Sequence, residues 1–491
     1  MSQPREPLRR IVVAGGGQVG VLTAIGLRRA LPTCEVVVIG IASGLAAFAD
    51  RASTSLPFTN KLHDRLGIEE AQLVLSAGGS YRLATHYVGW GGKEQHGIMP
   101  YGGASDPALQ TRFAQQWGGG PRNVSQDRPA GSIAEALVEA GRFAPPPPDA
   151  DTPISEVEYA LRWNPPAYRN LLVDHARRAG VTHVSGLIAA IQPDGRGGIA
   201  SIAIEGQGTI EADLFVDCSG PDAILASAMP EFDVAPWSDI SPIRRVLVAP
   251  PGQAMLELED RISLLSEGWL CELAGRDGLQ TMLAIDDAVS DDAARAALQA
   301  EPAAVLNLSP GRAREAWIGN VIAMGDAAVR CEPLGFLPLD LAHRQLHLLL
   351  EMLPGRQIVA SERAEYNRRA GLMFDAARDL LAMHYAAPRA RMVFPDAGVP
   401  GTVRTTLDQF ERRGRLPFQE EAPLLKQEQL ALLGALGFAR GLSTREQHLS
   451  ERDIAATQAD FAARSQAAVA FAPPYAQWLT SVLRANPAQT G

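Results

Sequence analysis

The sequence predicts an α/β fold, in which a Rossmann-like domain with a mixed sheet is joined to a mostly helical region. The first observation is a short apolar run within residues 9–32, followed by the pattern GxGxxG and a helical segment. This is the order of a strand, a tight turn and a helix. The second is that apolar runs at 214–216 and 321–324 are each followed closely by glycine. The third is a C-terminal third with helical periodicity and no fixed repeat.

The predicted elements follow from local patterns. Residues 11–13 form an unbroken apolar run, as in a strand that is buried on both faces. In the helix that follows, Val21 and Ile25 lie one turn apart and are expected to pack on the sheet, and Pro32 marks the helix end. The remaining predictions are a strand at 35–39, a helix at 165–180, several short strands within 183–220, a strand at 321–326, and helices at 339–353 and 364–386.

The composition is that of a globular protein, since 46% of the 491 residues are hydrophobic and 20% are charged. A net charge of −10 without a basic stripe argues against a nucleic-acid partner. Because no apolar run reaches the roughly 18 residues of a membrane span, no membrane contact is expected. The four cysteines lie far apart without a CxxC pair, which argues against zinc and disulfides and favours the cytoplasm.

Gly15, Gly17 and Gly20 form the GxGxxG pattern. In a dinucleotide site the first glycine permits the tight turn, and the second lets the backbone approach the pyrophosphate. The third lets the helix pack closely on the strand. The pyrophosphate then meets the helix N-terminus. A glycine turn that serves packing alone is the alternative, and the strand–turn–helix context favours a dinucleotide.

The end of the second strand lacks the acidic residue that holds ribose hydroxyls in such sites. Gly40 and Ile41 stand there, and the next acid is Asp50. Either the backbone and other segments hold the nucleotide, or its binding is weakened or lost.

Two later strand ends favour FAD over NAD. One strand ends at Asp217, three residues before Gly220, and another ends at Gly325 and Asp326, where small residues follow that can open a helix. An aspartate in this position can hydrogen-bond a ribityl chain while a helix N-terminus faces the phosphates. Asp326 alone fits a helix cap equally well, but three glycine-containing strand ends in this order are more specific.

Together with these strand ends, several longer blocks make the chain resemble the flavin-dependent tryptophan halogenases over nearly its whole length. The matching blocks are 56–68 (LPFTNKLHDRLGI), 80–90 (SYRLATHYVGW), 159–184, 213–220 (DLFVDCSG), 320–334 (NVIAMGDAAVRCEPL), 365–385 and 408–415. The resemblance implies an FAD-binding box over residues 1–353, with inserted substrate-region strands and loops, and a mainly helical region over 354–491 that packs on it and covers the substrate.

The resemblance also implies the ligands and partners. A separate flavin reductase supplies reduced FAD, which acts with O2 on an aromatic substrate of indole or phenol type. No metal is implied, and a homodimer or a pairing with a paralogue is a candidate assembly. The residues implied to bind FAD are Gly15, Gly17, Gly20, Gly325, Asp326, Pro333 and Leu334. A weakened affinity for FAD is one of the two outcomes that the missing ribose acid leaves open.

The catalytic lysine of that family falls on Arg82 in this sequence. In the family, halide is oxidised to a hypohalous acid, which reaches this lysine beside the substrate. A guanidinium stays protonated and is a poor nucleophile. Arg82 is therefore a candidate that donates hydrogen bonds to a hypohalous acid. The alternative is a structural arginine that pairs with a carboxylate or stacks on an aromatic ring.

The halide region departs from the family as well. The position of a glutamate that orients the electrophile falls on Gly335, which carries no acid. Phe336, Leu337 and Pro338 follow where the family has Ser-Thr-Gly, whose backbone N–H groups bind halide. Proline has no N–H, and the two large apolar side chains would dry the site.

In the segment that blocks hydroxylation in the family, Trp269 remains, while Cys271 stands at the second tryptophan. Leu273 and Ala274 replace Ile and Pro. Changes at the lysine, the glutamate, the halide nest and this segment together argue against ordinary halogenation.

Histidines offer a further candidate. His343 and His347 lie one helical turn apart and could ligate a metal. No third ligand is evident, so a surface or partner-facing role is expected instead. His63 and His86 are expected to make local hydrogen bonds.

Two functions stay open. The first is an FAD-dependent oxidoreductase, a halogenase-like monooxygenase or oxidase that acts on an aromatic substrate. The second is a non-catalytic relative that binds a protein partner or senses a ligand.

Overall fold

A computed structural model describes residues 6–102, 131–147, 149–442, 444, 448 and 450–486. The strands are β1 (Arg10–Ala14), β2 (Glu35–Ile39), β3 (Ser80–Arg82), β4 (Ala84–Val88), β5 (His96–Pro100), β6 (Ala160–Arg162), β7 (Thr182–Val184), β8 (Ile188–Pro193), β9 (Ile199–Ile204), β10 (Gly208–Glu211), β11 (Leu214–Asp217), β12 (Val234–Pro236), β13 (Arg245–Val248), β14 (Glu259–Leu264), β15 (Gly268–Leu273), β16 (Gln280–Ile285), β17 (Ala304–Asn307), β18 (Gly311–Ala313), β19 (Trp317–Ile318), β20 (Val321–Ala323) and β21 (Val329–Arg330).

The α-helices are α1 (Gln18–Ala30), α2 (Phe58–Leu66), α3 (Glu70–Ser76), α4 (Ile133–Ala140), α5 (Pro165–Arg178), α6 (Asp291–Leu298), α7 (Leu337–Glu351), α8 (Ala360–Tyr385), α9 (Ala390–Val393), α10 (Gly401–Arg413), α11 (Lys426–Ala435), α12 (Glu451–Phe471) and α13 (Tyr475–Ala485). The predicted helices at 165–180, 339–353 and 364–386 are confirmed as α5, α7 and α8. Short 3₁₀ turns lie at Ala226–Ala228, Gly325–Ala327 and Leu334–Phe336.

The chain divides into two compact units, each made of three stretches. Of the described residues, unit 1 comprises those within 1–79, 163–238 and 306–378, and unit 2 comprises those within 80–162, 239–305 and 379–491.

Unit 1 contains a six-stranded sheet in the order β19-β20-β11-β1-β2-β7. All its strands are parallel except β19, which runs antiparallel to β20. The chain passes from β1 to β2 on one side, whereas β11 lies on the other side of β1. The carboxyl end of β1 is therefore a switch point of the kind where open α/β sheets bind ligands. The predicted α/β fold and the strands at 11–13 and 35–39 are confirmed.

The helix α1 is more deeply buried than its sequence pattern predicts. Val21 and Ile25 are fully buried, as expected, but every residue from Gln18 to Leu27 is buried as well. The reason is that α5 and α7 pack on α1 in addition to the sheet. The N-terminal turns of α1 therefore lie inside unit 1.

Two smaller antiparallel sheets complete the strands of unit 1. The first has the order β10-β9-β8, which confirms the short strands predicted within 183–220. The second has the order β12-β18-β21.

Unit 2 is organised by a sheet in the order β17-β13-β16-β15-β14-β4-β5. Within it β14 and β4 are parallel, and β14 pairs with β15 in the antiparallel sense. A separate ribbon pairs β3 with β6. One hydrophobic cluster fixes α6 to the sheet, and its members are Leu247, Leu283, Ile285, Ala294 and Leu298. Among the described residues, no helix combines the length and the apolar character that crossing a membrane requires.

Candidate functional site

The glycine pattern forms the turn between β1 and α1 in unit 1. Gly15 has a φ of +141°, and a Cβ there would lie 2.2 Å from the carbonyl oxygen of Cys218. A Cβ on Gly20 would lie 2.1 Å from the carbonyl oxygen of Gly15. Both close approaches involve the protein's own backbone. The turn therefore needs these two glycines whether or not a nucleotide binds.

Gly17 faces a side chain from a later loop. A Cβ on Gly17 would lie 1.6 Å from Oδ2 of Asp50. Oδ1 of Asp50 accepts a hydrogen bond from the N–H of Val19 at 2.9 Å, and the hydroxyl of Ser43 donates to Oδ2. The Asp50 carboxylate thus lies at the first turn of α1, beside the glycine whose missing side chain would admit a pyrophosphate.

The charge of Asp50 depends on its burial. Burial raises its pKa to about 6, while the hydrogen bond from Val19 and the nearby Arg169 oppose this rise. Arg169 in turn donates to the carbonyl oxygen of Gly16. At neutral pH the Asp50 side chain is therefore mostly an anion at the positive end of α1.

Asp326 holds the backbone beside Asp50. Its carboxylate accepts hydrogen bonds from the N–H groups of Ala49 at 3.0 Å and Asp50 at 3.2 Å. Burial raises the pKa of Asp326 to about 7, and the charge of Asp50 adds to the rise. The side-chain amide of Gln18 donates to the carbonyl oxygens of Ala49 at 2.8 Å and Ala52 at 2.9 Å. Asp326 and Gln18 thereby fix the backbone of residues 49–52.

The expectation that small residues open a helix after Asp326 is wrong. Gly325–Ala327 form a single 3₁₀ turn, and β21 follows at once. The reason is tertiary, because β21 pairs in the antiparallel sense with β18. The next α-helix, α7, begins only at Leu337.

Asp217 has the strand-end role that its position suggests. Its carboxylate accepts hydrogen bonds from the N–H groups of Ser219 at 3.0 Å, Leu225 at 2.8 Å and Ala226 at 2.8 Å. Burial raises its pKa. Asp217 therefore closes the turn that follows β11.

Residues 333–338 lead into α7 of unit 1. Leu334 begins a 3₁₀ turn after the half-buried Pro333, and Gly335 and Phe336 have φ of 66° and 62°. This left-handed conformation costs a residue with a Cβ about 1–2 kcal/mol.

Leu337 and Pro338 are the first two residues of α7, and both are buried. A proline is tolerated there because the first N–H groups of a helix have no partner within it. This helix start consequently offers one N–H fewer to an anion.

Asp340 is a buried acid whose role sequence reasoning missed. It lies in the first turn of α7 and is fully buried. Its Oδ2 accepts a hydrogen bond from Nε of Arg344 at 2.6 Å, whereas Oδ1 has no hydrogen-bond partner among the described residues. Burial raises its pKa. The i,i+4 spacing could have indicated the ion pair, but no local pattern indicated the burial.

Arg82 lies on β3 of unit 2, and its side chain is fully buried. It donates to Oδ2 of Asp260 at 3.0 Å and lies over the ring of Tyr101, 5.3 Å from its centroid. Arg162 donates to the other oxygen of Asp260 at 2.7 Å. One buried carboxylate thereby joins β3, β6 and β14. Pairing with a carboxylate and stacking on an aromatic ring are the two contacts expected of Arg82 if its role is structural.

Trp269 and Cys271 lie on β15 of unit 2, on the same face because they are two residues apart. Both are fully buried. The indole N–H of Trp269 donates to the hydroxyl of Tyr385 at 3.2 Å. Burial raises the pKa of the Cys271 thiol.

The surface role expected for His343 is wrong. His343 is buried, since α2 and α7 pack together, and its Nδ1 lies 2.8 Å from the hydroxyl of Thr59. His63 is buried next to it and shares a 2.7 Å hydrogen bond with Tyr168. Among the described residues, no group of His, Cys, Asp and Glu is arranged to hold a metal ion.

The predicted site residues thus separate into two sets. Unit 1 brings the glycine turn and Asp326 together around Asp50, and it also contains residues 333–338. Arg82 and Trp269 belong to unit 2.

A family model described as tryptophan halogenase matches residues 10–440. The chain belongs to the tryptophan halogenase family. This confirms the resemblance inferred from the sequence blocks.

Relatives and solved structures agree with the family. Tryptophan 7-halogenase KtzQ of Kutzneria sp. (strain 744) is 26% identical over 418 residues, which cover 78% of this chain and 77% of the relative. Tryptophan 7-halogenase RebH of Lentzea aerocolonigenes is 24% identical over 422 residues and 78% of each chain. The structure of Xcc4156, a flavin-dependent halogenase from Xanthomonas campestris, superposes with a TM-score of 0.87 at 21% identity over 97% of this chain and 99% of that one. The structural likeness supports the fold.

Tryptophan halogenases are enzymes that use FAD reduced by a separate flavin reductase. The residues at the start of α1 do not fit the diphosphate of FAD in the arrangement described. The carboxylate of Asp50 already accepts the N–H of Val19 and lies against Gly17. Two anions at one helix start repel each other. The sequence contained a signal for this, because Asp50 is the first acid after β2.

Proposed function

We propose that the chain is an FAD-dependent oxidoreductase of the tryptophan halogenase family, which acts with reduced FAD and O2 on an aromatic substrate of indole or phenol type. One observation carries the proposal. The glycine turn after β1 and the Gly325–Asp326 turn after β20 flank β11 at the carboxyl edge of one parallel sheet. This frame supports a dinucleotide site at the switch point.

Ordinary halogenation is not the activity we propose. Arg82 cannot form a haloamine readily, because its guanidinium stays protonated and is engaged by Asp260. Gly335 has no carboxylate, and Pro338 has no N–H for a halide. A monooxygenase-like reaction, in which the substrate gains oxygen instead of halogen, requires none of these three groups.

The proposal includes a cytoplasmic location and a separate flavin reductase as the partner that supplies reduced FAD. The four cysteines are free and buried, which is compatible with a reducing compartment. A homodimer or a pairing with a paralogue remains a proposal.

The test is a coupled reaction in which a flavin reductase supplies reduced FAD under air, with and without bromide, over a panel of indoles and phenols. We expect a product that gains one oxygen atom, at the same rate with and without bromide. Catalase and a reaction without the protein control for peroxide released by free flavin. A brominated product would overturn the proposed route and restore halogenation.

A second candidate is a non-catalytic relative that binds a partner or senses a ligand. The observation that favours it is the Asp50 carboxylate at the start of α1. Substitution of Arg82 is a poor test of this candidate, since the residue supports the fold of unit 2. Titration with oxidised FAD, and anaerobically with reduced FAD, separates the two functions. No binding of either form at millimolar flavin would favour the non-catalytic protein.

A further inference from the structure

A loop of unit 1 covers the switch point of the sheet. Residues 43–52, here called the covering segment, follow β2 and reach the turns after β1 and β11. A Cβ on Gly220, beyond β11, would lie 3.5 Å from the Cβ of Ala47. At its other end the segment places the Asp50 carboxylate against Gly17. The segment therefore occupies the crevice where the frame would take a dinucleotide.

The contacts of Asp50 are those that a phosphate would make. A phosphate at a helix start accepts backbone N–H groups and is stabilised by the positive end of the helix. Asp50 accepts the N–H of Val19 at 2.9 Å from within the first turn of α1. The guanidinium of Arg169, which binds the carbonyl oxygen of Gly16, lies near enough to stabilise its negative charge.

We propose that Asp50 is an internal anion that excludes the diphosphate of a dinucleotide from the first turn of α1, so that the covering segment leaves this position whenever FAD binds. The inference rests on the proposed function in taking FAD as the ligand. It goes beyond the proposed function because it assigns to Asp50 the role of opposing the binding of the cofactor.

The covering segment is held in place at several points. Asp326 binds the N–H groups of Ala49 and Asp50, and Gln18 binds the carbonyl oxygens of Ala49 and Ala52. The indole N–H of Trp163 also donates to Ala52 at 3.1 Å. A ligand that needs the open segment binds with an affinity reduced by the fraction of molecules in which the segment is open.

The charges around Asp50 set how this exclusion depends on pH. The titratable and charged groups that face Asp50 are Arg169 on α5, Asp326 after β20, Cys218 after β11, and Arg51, which follows Asp50 in the chain. As pH falls, Asp50 and Asp326 lose negative charge while the arginines stay positive. Exclusion of a diphosphate therefore weakens on acidification.

The experiment measures the dissociation constants of ADP and of oxidised FAD for the full chain and for Asp50→Asn. Asparagine keeps an oxygen for the Val19 N–H but carries no charge. Asp64→Asn is the matched control, because Asp64 is an exposed acid on α2 of the same unit. We expect Asp50→Asn to bind both ligands about tenfold more tightly at neutral pH, which corresponds to about 1.4 kcal/mol, and Asp64→Asn to match the unaltered chain.

The two ligands distinguish the inference from the proposed function. If Asp50→Asn binds ADP more tightly than the unaltered chain does, while no variant binds FAD, the inference stands and the flavin function is overturned. Equal and tight FAD binding by the chain and Asp50→Asn overturns the inference and leaves the function standing. Absence of binding of both ligands to Asp50→Asn overturns both. If Asp50→Asn folds poorly, the test uses the unaltered chain at falling pH. An affinity for ADP that does not rise on acidification would then overturn the inference.

Discussion

Replacement of Arg82 by alanine is expected to destabilise unit 2 by about 3–5 kcal/mol, the usual consequence of removing one partner from a buried ion pair. The side chains of Arg82 and Asp260 are both 0% exposed and are joined at 3.0 Å. The substitution leaves the buried carboxylate with one guanidinium fewer. It also removes the cation that lies over Tyr101, a contact worth about 0.5–2 kcal/mol that is included in this range.

Hydrogen exchange is the assay that locates this loss. Peptides from β14 and β15 report on the opening of unit 2, and a loss of 3–5 kcal/mol would accelerate their exchange by a factor of about 10² to 4 × 10³. Urea unfolding followed by tryptophan fluorescence gives the accompanying shift of midpoint. Arg177→Ala is the control, because its pair with Asp174 is 66% exposed on both sides and should change stability by no more than about 0.5 kcal/mol.

The lysine variant sharpens the test. Arg82→Lys keeps a positive charge near Asp260 but loses the planar guanidinium over the ring, so an intermediate loss is expected. Unchanged exchange and an unchanged urea midpoint in Arg82→Ala would refute the structural role. If such a variant also lost activity, Arg82 would be a catalytic residue.

Three further outcomes are expected. The affinity for FAD should rise as pH falls through about 6, the pKa to which burial raises Asp50. Isothermal titration should find that the affinity of Asp50→Asn for FAD depends less on pH, and an affinity of the unaltered chain that does not rise would contradict the reasoning. Burial also raises the pKa of Asp326 to about 7. The stability that Asp326 contributes is therefore fully present below its ordinary pKa of about 3.9 and is lost as pH rises through 7. Urea unfolding over this range should show the loss in the unaltered chain and less of it in Asp326→Asn, and an equal dependence of stability on pH in the two chains would be the contrary result. The thiols of Cys34, Cys218 and Cys331 are buried and their pKa values are raised by that burial, so a thiol reagent should label them only after unfolding, and fast labelling of the native chain would show that these sites open.

Much of the unit 1 frame could be predicted from local sequence. The glycine turn follows from short-range sterics, since Gly15 adopts a φ of +141° that a side chain rarely tolerates. The apolar runs of β1 and β2 predict strands buried on both faces. The helix expected after Asp326 failed because β21 pairs with β18, a contact that local propensity does not contain.

The candidate site could be predicted only in part. Sequence blocks placed Arg82 at the family's lysine position, but its partner Asp260 lies 178 residues further along the chain. The burial of His343 depends on the packing of α7 against α2. The division of the chain near residue 353 stays a prediction, as do the proposed FAD contacts of Pro333 and Leu334.

By itself, the sequence determined the family of this protein and the strand–turn–helix frame at its N-terminus, because glycine sterics and the periodicity of apolar residues act within a few residues. Only the tertiary structure decided what occupies that frame. Asp50 reaches the first turn of α1 from a loop 31 residues after Val19, and Asp326 holds that loop from 277 residues beyond Ala49. The partner of a buried charge is selected by the packing of distant segments, and a pattern along the chain does not specify it.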